Sequence, residues 1–427
     1  MYLTHTIRIK MAHKHYKMLD NYAFLCKNLF NVATYHNRQA VITNNKTPTA
    51  FNLINQLTKT KQQDYKAIPA KVAQQVIKQV YQNFRSFWAV IKAYHKDKSK
   101  FLGRPKLPKY LDKTKGRANI IFTKQAISKR DLQKGILTLS SYFDTPLSFD
   151  LGKLKTIVTY DNLQEVRVVK IANGYDIKIT YKTDEPILKP NNGRYLAVDL
   201  GLNNLLTAVS NTNNTPFIVT GKTVKSVNQF FNKIKAKLQS QKDRLFNIAK
   251  QNNQTMPQIS FINKQLNRLS LKRNNQINDY LHKASYYLIN HAVANKITTI
   301  VIGHNQDWKQ GINIGKRNNQ SFVSVPFARL VQMVQYKAKL QGIDVIVTEE
   351  SYTSKCSFLD NEPIQKHANY QGKRIKRGLF KSSNNTLINA DVNGAYNILR
   401  KVIGKFDYDP IVVCSTPKMI NPLKANP

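Results

Sequence analysis

In the first half of the chain, the spacing of apolar residues is in some segments that of strands and in others that of helices. Residues 1–10 alternate between apolar and polar side chains, which predicts a short strand. Residues 14–94 repeat apolar side chains at three- and four-residue steps, which predicts helices with one buried stripe, including Val72, Val76, Val80, Phe84, Phe87 and Ile91. Strand patterns return in residues 157–181, where Asn173-Gly174 predicts a hairpin with a type I′ turn. This half therefore predicts a small β-barrel or sheet with a helical insertion.

The second half has the pattern of an α/β domain that begins near Arg194. The segment YLAVDLG predicts a buried strand, Asn203-Asn204 a tight turn, and LLTAVS the returning strand. A long helical stretch, the strand TTIVIG, a helix beginning at Pro326, the strand DVIVTEE and the helix DVNGAYNILRKV follow in that order. This order is typical of an RNase H-like α/β fold. Residues 406–427 contain four prolines, and we expect this tail to lie outside the core.

The charge of the chain indicates a polyanionic partner. Among 427 residues there are 67 Lys and Arg against 24 Asp and Glu, which gives a net charge of +43. So many positive charges repel one another unless a polyanion neutralises them, and nucleic acid is the usual polyanion. A membrane surface would also attract basic residues, but here they are spread through every segment. With 41% apolar residues, the chain is long enough for two or three folded domains.

Cysteine usage and the N-terminus predict a cytoplasmic location. Cys26, Cys356 and Cys414 are widely spaced and odd in number, so they predict no disulfide framework and a reducing compartment. The N-terminus carries charges where a signal peptide needs an apolar core, and no apolar run reaches membrane-spanning length. We therefore expect a soluble protein of the bacterial cytoplasm or nucleoid.

Acidic residues at the ends of apolar runs are candidate metal ligands. They are Asp199 in AVDLG, the pair Glu349-Glu350 in VIVTEESYTS, and Asp391 in NADVNGAYNIL. Each alone could be structural, as a turn cap, a strand end or a residue that suits a helix dipole. Strand alternation sends Glu349 and Glu350 to opposite faces, so only one of them can enter a shared cleft. In so basic a chain, the ordered set favours a site for two Mg²⁺ ions that hydrolyses a phosphodiester.

Several basic and aromatic residues are candidate nucleic-acid contacts. Residues 96–117 form a basic connector with Pro, Gly and interleaved aromatics, which is either a solvated linker or a phosphate-binding segment. Trp308 is either part of a packed loop with His304 and Asp307 or a surface on which a base stacks. We predict nucleic-acid contacts for Arg104, Lys106, Lys109, Arg117, Trp308, Lys309, Lys355, Lys373 and Arg374.

At these motifs the chain resembles the TnpB family, transposon-encoded RNA-guided DNA endonucleases that are similar to the ancestors of type V CRISPR effectors. The matching segments are, in the family's order, FLGRPKLPKY, VDLGLNNL, NDYLHKAS, the Pro326 helix ending in YKAKLQGI, SYTSK and NADVNGAYNIL. Because they span nearly the whole chain, the match is specific.

The resemblance implies a domain order. Residues 1–190 would form a wedge-type β-barrel with a helical recognition insertion at roughly 14–115. Residues 191–354 and 389–405 would form a split RuvC nuclease domain with an RNase H-like fold. Residues 355–388 would form a degenerate zinc ribbon between its two parts.

The resemblance also implies partners and a reaction. A guide RNA made from the transposon end would pair with the target, while the protein reads a short target-adjacent motif on duplex DNA. Cleavage of the duplex would depend on Mg²⁺. The catalytic and metal-binding residues would be Asp199, Glu350 and Asp391, with Glu349 as the alternative to Glu350.

The chain departs from the family pattern at two motifs. The strand that usually carries the second acidic residue has Gly303 at that position, so we favour Glu350 on the next strand, as in the eukaryotic relatives called Fanzors. The zinc ribbon normally has two CxxC pairs, but here Cys356 stands alone. One Cys with His367 cannot fill a tetrahedral site, so we expect a zinc-free basic loop.

Two other functions fit parts of these observations. A nuclease-dead RNA-guided repressor would bind DNA without cutting it, but loss of the acidic set would mark such a protein, and the set is present here. A guide-independent RNA-binding or resolvase-like protein fits the charge but not the complete order of motifs.

Overall fold

The computed structural model describes residues 1–252, 256–305, 313 and 315–424, with only the backbone of residues 316–318. The chain divides into two compact units, Met1–Asp184 and Glu185–Pro427. Within the described residues, every helix is too short or too polar to cross a membrane.

The first unit combines a four-stranded antiparallel sheet with a helical group. The sheet has the strand order β1-β6-β5-β2, and β3 pairs with β4 in a separate hairpin. Because β1 and β2 are open edges of this fully described sheet, the predicted β-barrel is not confirmed. The elements are β1 Tyr2–Lys10, α1 Tyr16–Ile42, α2 Ala50–Lys59, α3 Gln63–Lys66, α4 Ala70–Lys96, β2 Ile120–Thr123, α5 Lys129–Gln133, β3 Ile136–Leu139, β4 Leu147–Asp150, β5 Leu163–Ile171 and β6 Gly174–Lys182.

The helices α1 to α4 lie between β1 and β2 in the chain and bury most of the predicted apolar stripe, although Phe87 and Ile91 at its end are only partly buried. Val72, Val76, Val80 and Phe84 of α4 are each at most 1% exposed, so their role as core residues is confirmed. The connector that follows α4 is held against α1 rather than being free in solvent. Asn31 of α1 exchanges two hydrogen bonds with the backbone of Leu111, at 2.9 and 3.0 Å.

The predicted hairpin of β5 and β6 is confirmed, but its turn type is not. Ile171 pairs with Gly174, so Ala172 and Asn173 are the two loop residues. A type I′ turn needs positive φ at both loop residues, whereas only Gly174 has it, at 145°. The backbone of β1 explains the glycine, since a Cβ there would overlap the carbonyl oxygen of Ile9.

The second unit is built on a six-stranded sheet with the order β11-β10-β7-β8-β9-β15. Strands β7, β8 and β9 are antiparallel neighbours, and β10 and β11 continue the sheet parallel to β7. The elements are β7 Tyr195–Leu200, β8 Asn204–Ser210, β9 Phe217–Thr220, α6 Lys222–Gln251, α7 Pro257–Ala294, β10 Thr299–Gly303, α8 Lys316–Val323, α9 Phe327–Leu340, β11 Asp344–Thr348, β12 Lys373–Lys376, β13 Leu379–Lys381, β14 Leu387–Asn389, α10 Ala390–Ile403, α11 Pro410–Cys414 and β15 Lys418–Ile420.

The two faces of this sheet bury different cores. Leu196 and Val198 of β7 pack with α7 and α9, whereas Ala197 of β7 and Val301 of β10 pack with α10. Because side chains alternate along a strand, Asp199 lies on the same face as Ala197. The sequence therefore directs this carboxylate towards α10.

The prediction that residues 406–427 lie outside the core is wrong. Val413 of α11 is 1% exposed, and Ile420 of β15 is 6% exposed. Strand β15 pairs in parallel with β9 and forms one edge of the sheet. Pro410, one of the prolines that suggested an irregular tail, fits this structure because it occupies the first turn of α11, where a missing N–H costs nothing.

Candidate active site

Asp199, the fifth residue of β7, lies among other carboxylates beneath α10. Burial and the charges of Glu350 and Asp391 hold the pKa of Asp199 well above its usual range, although Arg374 opposes the shift. Gly394 of α10 makes room for it, since a Cβ at that position would lie 3.2 Å from Oδ2 of Asp199. The sheet and the helix thus bring this carboxylate close to two other acidic side chains.

Asp391 occupies the first turn of α10, as predicted for the last helix. Asn389 caps the helix by accepting hydrogen bonds from the backbone N–H groups of Asp391 and Val392. The Asp391 side chain has 28% of its surface exposed, and two neighbours hold it. Asn204 donates to Oδ2 at 2.6 Å, and Arg374 contacts Oδ1 at 3.2 Å.

The neighbouring glutamates have different surroundings. Glu350 lies two residues beyond the end of β11, and its backbone N–H donates to Oδ1 of Asn305 at 2.9 Å. Its Oε2 atom is buried and has no hydrogen-bond partner among the described residues. Burial and the charge of Glu349 raise the pKa of Glu350 to about 7. Glu349 has 61% of its side chain exposed, and it pairs with Lys401 at 3.2 Å.

Gly303 ends β10 directly beside the Glu350 carboxylate. A Cβ at Gly303 would lie 3.2 Å from Oε2 of Glu350 and would overlap the end of the buried Ile398 side chain. The space that a side chain on β10 would occupy is therefore taken by Glu350 and by α10. Gly303 and Glu350 are complementary in volume.

These residues fit a divalent cation in chemistry. Mg²⁺ prefers carboxylate oxygens, and the unpartnered Oε2 of Glu350 is a buried acceptor that a cation would satisfy. In the described part of the chain, however, no three side chains already form a complete metal-binding group. The two oxygens of Asp391 are instead in contact with Arg374 and Asn204.

The predicted nucleic-acid contacts differ in their surroundings. The exposed residues are Arg104, Lys106 and Lys109 in the first unit, and Lys355, Lys373 and Arg374 in the second. Arg117 is instead half-buried, and its guanidinium donates two hydrogen bonds to Asp20, at 2.7 and 3.0 Å. This contact gives Arg117 a structural role in the first unit. Trp308 and Lys309, with Asp307, lie outside the described residues.

The segment around Cys356 is held by polar side chains of α10. Asn397 donates to the carbonyl oxygens of Thr353 and Cys356, both at 2.8 Å, and Asn393 donates to the latter at 2.9 Å. The thiol of Cys356 is buried and lies 3.3 Å from the carbonyl oxygen of Pro363. Hydrogen bonds among the described residues therefore hold this segment in place, and they involve no cysteine other than Cys356.

Sequence reasoning missed Asn204 and Lys401. Asn204 belongs to the Asn203-Asn204 turn, which was interpreted only as a turn, but its side chain orients Asp391. Lys401 follows Asp391 on α10 and neutralises Glu349. The single usable signal was the position of Asn204 next to the strand that carries Asp199.

Two family models match segments that lie mostly or wholly in the second unit. The model OrfB_IS605, described as a probable transposase, matches residues 178–309. The model described as Cas12f1-like, TNB domain, matches residues 327–398. The chain is also 23% identical over 413 residues to the TnpB-like protein ORF457 of Acidianus two-tailed virus, which covers 91% of this chain and 84% of the viral protein.

The fold resembles that of the protein in a solved Cas12f1 complex. The protein in the structure of a Cas12f1-sgRNA-target DNA complex matches with a TM-score of 0.56 and 15% identity, covering 90% of this chain and 81% of that one. The mini-RNA-guided endonuclease CRISPR-Cas_phi3 matches with a TM-score of 0.46 and 11% identity over 95% of this chain and 93% of that one. The first similarity supports an RNase H-like fold.

Proposed function

The chain belongs to the TnpB family, and on that premise we propose that it is an RNA-guided, Mg-dependent DNA endonuclease. It cleaves duplex DNA next to a short target-adjacent motif, and its guide RNA comes from the transposon end. The observation that carries this proposal is that Asp199 is buried close to both Glu350 and Asp391, so that burial and the charges of these two carboxylates raise the pKa of Asp199. Adjacent carboxylates repel one another, and divalent cations relieve that repulsion.

The residues of the site have separable roles in this reaction. Mg²⁺ bound by Asp199, Glu350 and Asp391 would supply the chemistry that activates a water and stabilises the leaving oxygen of the phosphodiester. Asn204 orients Asp391 through its 2.6 Å hydrogen bond. Arg374, 3.2 Å from Asp391, places a guanidinium where the phosphate of a bound strand would approach the carboxylates.

The volume around Gly303 supports Glu350 as the third ligand. The carboxylate of Glu350 fills the space beside Gly303, whereas Glu349 faces away and pairs with Lys401. The role that the family usually gives to a glutamate on β10 would thus pass to Glu350, two residues beyond the end of β11. Lys401 keeps Glu349 neutralised outside the site.

Nucleic acid would neutralise the positive charge of the chain. Base pairing with the guide would read the target sequence, while the protein contacts backbones. The exposed residues Arg104, Lys106 and Lys109, together with Lys355 and Lys373, are proposed to bind phosphates. Because Cys356 is the one cysteine in the sequence of residues 355–388, we propose a zinc-free insertion there.

Sequencing the RNA that co-purifies with the protein tests this proposal. We expect one discrete RNA species, and replacing its guide segment should redirect Mg-dependent cleavage to the new matching target. A protein that carries a discrete guide and binds the target without cutting would be the nuclease-dead repressor. Heterogeneous RNA with no guided binding would contradict the proposal and favour the guide-independent RNA-binding or resolvase-like protein.

A further inference from the structure

A cavity of about 590 Å³ lies directly beside Asp391, and its walls carry an excess of positive charge. The charged residues among those that line it are Lys222, Lys225, Arg374, Arg377 and Asp391. Four cations thus face one carboxylate. Arg374 is paired with Asp391, but the other three basic side chains form no ion pair within the described residues.

The backbone on one side of this cavity is fixed by close packing. Gly221, immediately before α6, donates its backbone N–H to the carbonyl oxygen of Asn203 at 2.6 Å. A Cβ at Gly221 would overlap the carbonyl oxygen of Leu202, so the glycine is what permits this contact. Lys225 of α6 donates to Oδ1 of Asn203 at 3.1 Å, which holds its charge at the cavity wall.

The same turn connects the cavity with the candidate active site. Asn204, which follows Asn203, donates to Asp391, and Arg374 contacts the other oxygen of that carboxylate. Asp391 therefore belongs both to the carboxylate group around Asp199 and to the wall of the cavity. A ligand in the cavity lies next to the atoms at which cleavage is proposed.

We propose that this cavity is a phosphate subsite that binds a linkage of the DNA strand being cut, close along the strand to the linkage that is hydrolysed. The inference rests on the proposed function and adds Lys222, Lys225 and Arg377 as positioning residues. Each phosphodiester carries one negative charge, which the excess of cations in the cavity attracts. This attraction offsets the repulsion between DNA and the carboxylates and holds the strand in register with them.

A charge-removal cycle tests the subsite by binding alone. The guide-loaded Asp199→Asn protein would be mixed in EDTA with target duplexes in which one phosphate at a time, near the cut, is replaced by a neutral methylphosphonate. The same series would be measured with Lys222→Gln and Arg377→Gln added together. The matched control adds Lys237→Gln and Lys376→Gln, which remove two exposed charges from the same helix and the same strand region outside the cavity.

One linkage on the cut strand should behave differently from all the others. With the cavity intact or with the control pair, its methylphosphonate should weaken binding by about threefold or more, the effect of one lost phosphate contact. With Lys222→Gln and Arg377→Gln, binding should be weaker overall, and that methylphosphonate should cause a clearly smaller further loss than it does with the cavity intact. Equal methylphosphonate effects in the cavity and control variants at every linkage would overturn the subsite.

This outcome is distinct from failure of the proposed function. One outcome is that the unaltered protein cuts a guided target while each methylphosphonate weakens binding equally in the cavity variant and in the control variant. In that case only the subsite is wrong. If the unaltered protein with its guide neither binds nor cuts a matching target, the proposed function is wrong and the subsite falls with it.

Discussion

Gly303 and Glu350 form a complementary pair at the end of the sheet. The glycine leaves a space on β10 that a Cβ could enter only by displacing Ile398, and Oε2 of Glu350 borders this space. We propose Glu350 as the third acidic residue of the site because its carboxylate, just beyond β11, lies beside the end of the neighbouring strand β10.

The first prediction separates Glu350 from Glu349. Glu350→Gln should lower the rate of guided cleavage by several orders of magnitude, because it removes a charged ligand from the metal site. Glu349→Gln, which loses an exposed pair with Lys401, should cleave at a near-normal rate. The measurement is single-turnover cleavage by each variant loaded with the same guide. An inactive Glu349 variant beside a near-normal Glu350 variant would reverse the assignment.

The second prediction concerns the volume at Gly303. Gly303→Ala should lower the free energy of unfolding by about 1–3 kcal/mol, because the new methyl group overlaps the buried Ile398 side chain. Ile398→Val removes the overlapping Cδ1 atom and alone should cost about 0.5–1.5 kcal/mol. The double variant should lose less than the sum of the two single losses. Denaturant unfolding of all three variants measures this, and strict additivity would contradict the packing described here.

The third prediction concerns Asp20 in α1, which accepts hydrogen bonds from Arg117, Lys170 and Tyr175. Burial would raise the pKa of Asp20, but these bonds outweigh it and lower the pKa from 3.8 to about 2. Because the pKa of Asp20 is lower in the folded state, its carboxylate stabilises the fold when the pH is above the ordinary pKa of an aspartate. This contribution is lost as the pH falls towards 2.

Asp20→Asn should therefore melt at a lower temperature than the unaltered protein near neutral pH. The difference should shrink as the pH falls from about 4 to about 2. Asp161→Asn is the matched control, since Asp161 is 94% exposed and its pair with Lys124 should add little stability. Thermal unfolding across this range measures both variants. A difference that is independent of pH would refute the role given to Asp20.

At the scale of elements, helix α10 connects the candidate active site with the structural parts of the second unit. Its first turn carries Asp391, and its buried face packs on the sheet through Ala395 and Ile398. Further along, Asn397 fixes the turn at Thr353, and Arg400 donates to the carbonyl oxygen of Glu362. Movement of this helix would shift the carboxylate and the insertion together.

The fourth prediction is that the folded protein needs no zinc at Cys356. Its thiol already lies 3.3 Å from the carbonyl oxygen of Pro363, and a serine hydroxyl can donate to the same acceptor. Cys356→Ser should therefore keep the guided cleavage rate and nearly the same melting temperature. Elemental analysis of the dialysed, unaltered protein should find no stoichiometric zinc. About one zinc per chain, lost in the serine variant, would contradict this prediction.

Periodicity predicted the elements that have strong local patterns and missed those that depend on distant pairing. The start of α10 and the burial of its Ala395 and Ile398 follow from a three- and four-residue repeat. Strand β15 is only three residues long, and it is a strand because it pairs with β9 about two hundred residues earlier. The contact between Asn204 and Asp391 spans 187 residues, so local sequence could not reveal it.

At the scale of the whole molecule, charge is the dominant property. A formal net charge of +43 disfavours a compact chain without a polyanion, and nucleic acid would remove much of that cost. Composition alone predicts this partner. Composition does not predict the proposed cleavage site, because that would depend on the few carboxylates that the fold brings together and on the cavity beside them.

The most direct test of the central claim, and its fifth prediction, compares cleavage and binding in Asp199→Ala and Asp391→Ala. Each variant loses a carboxylate of the proposed metal site, while guided binding rests on many basic and backbone contacts elsewhere. With the same guide and target, both variants should bind the matching duplex as tightly as the unaltered protein and should show no detectable cleavage. Cleavage at the unaltered rate by either variant would contradict the assignment of this site.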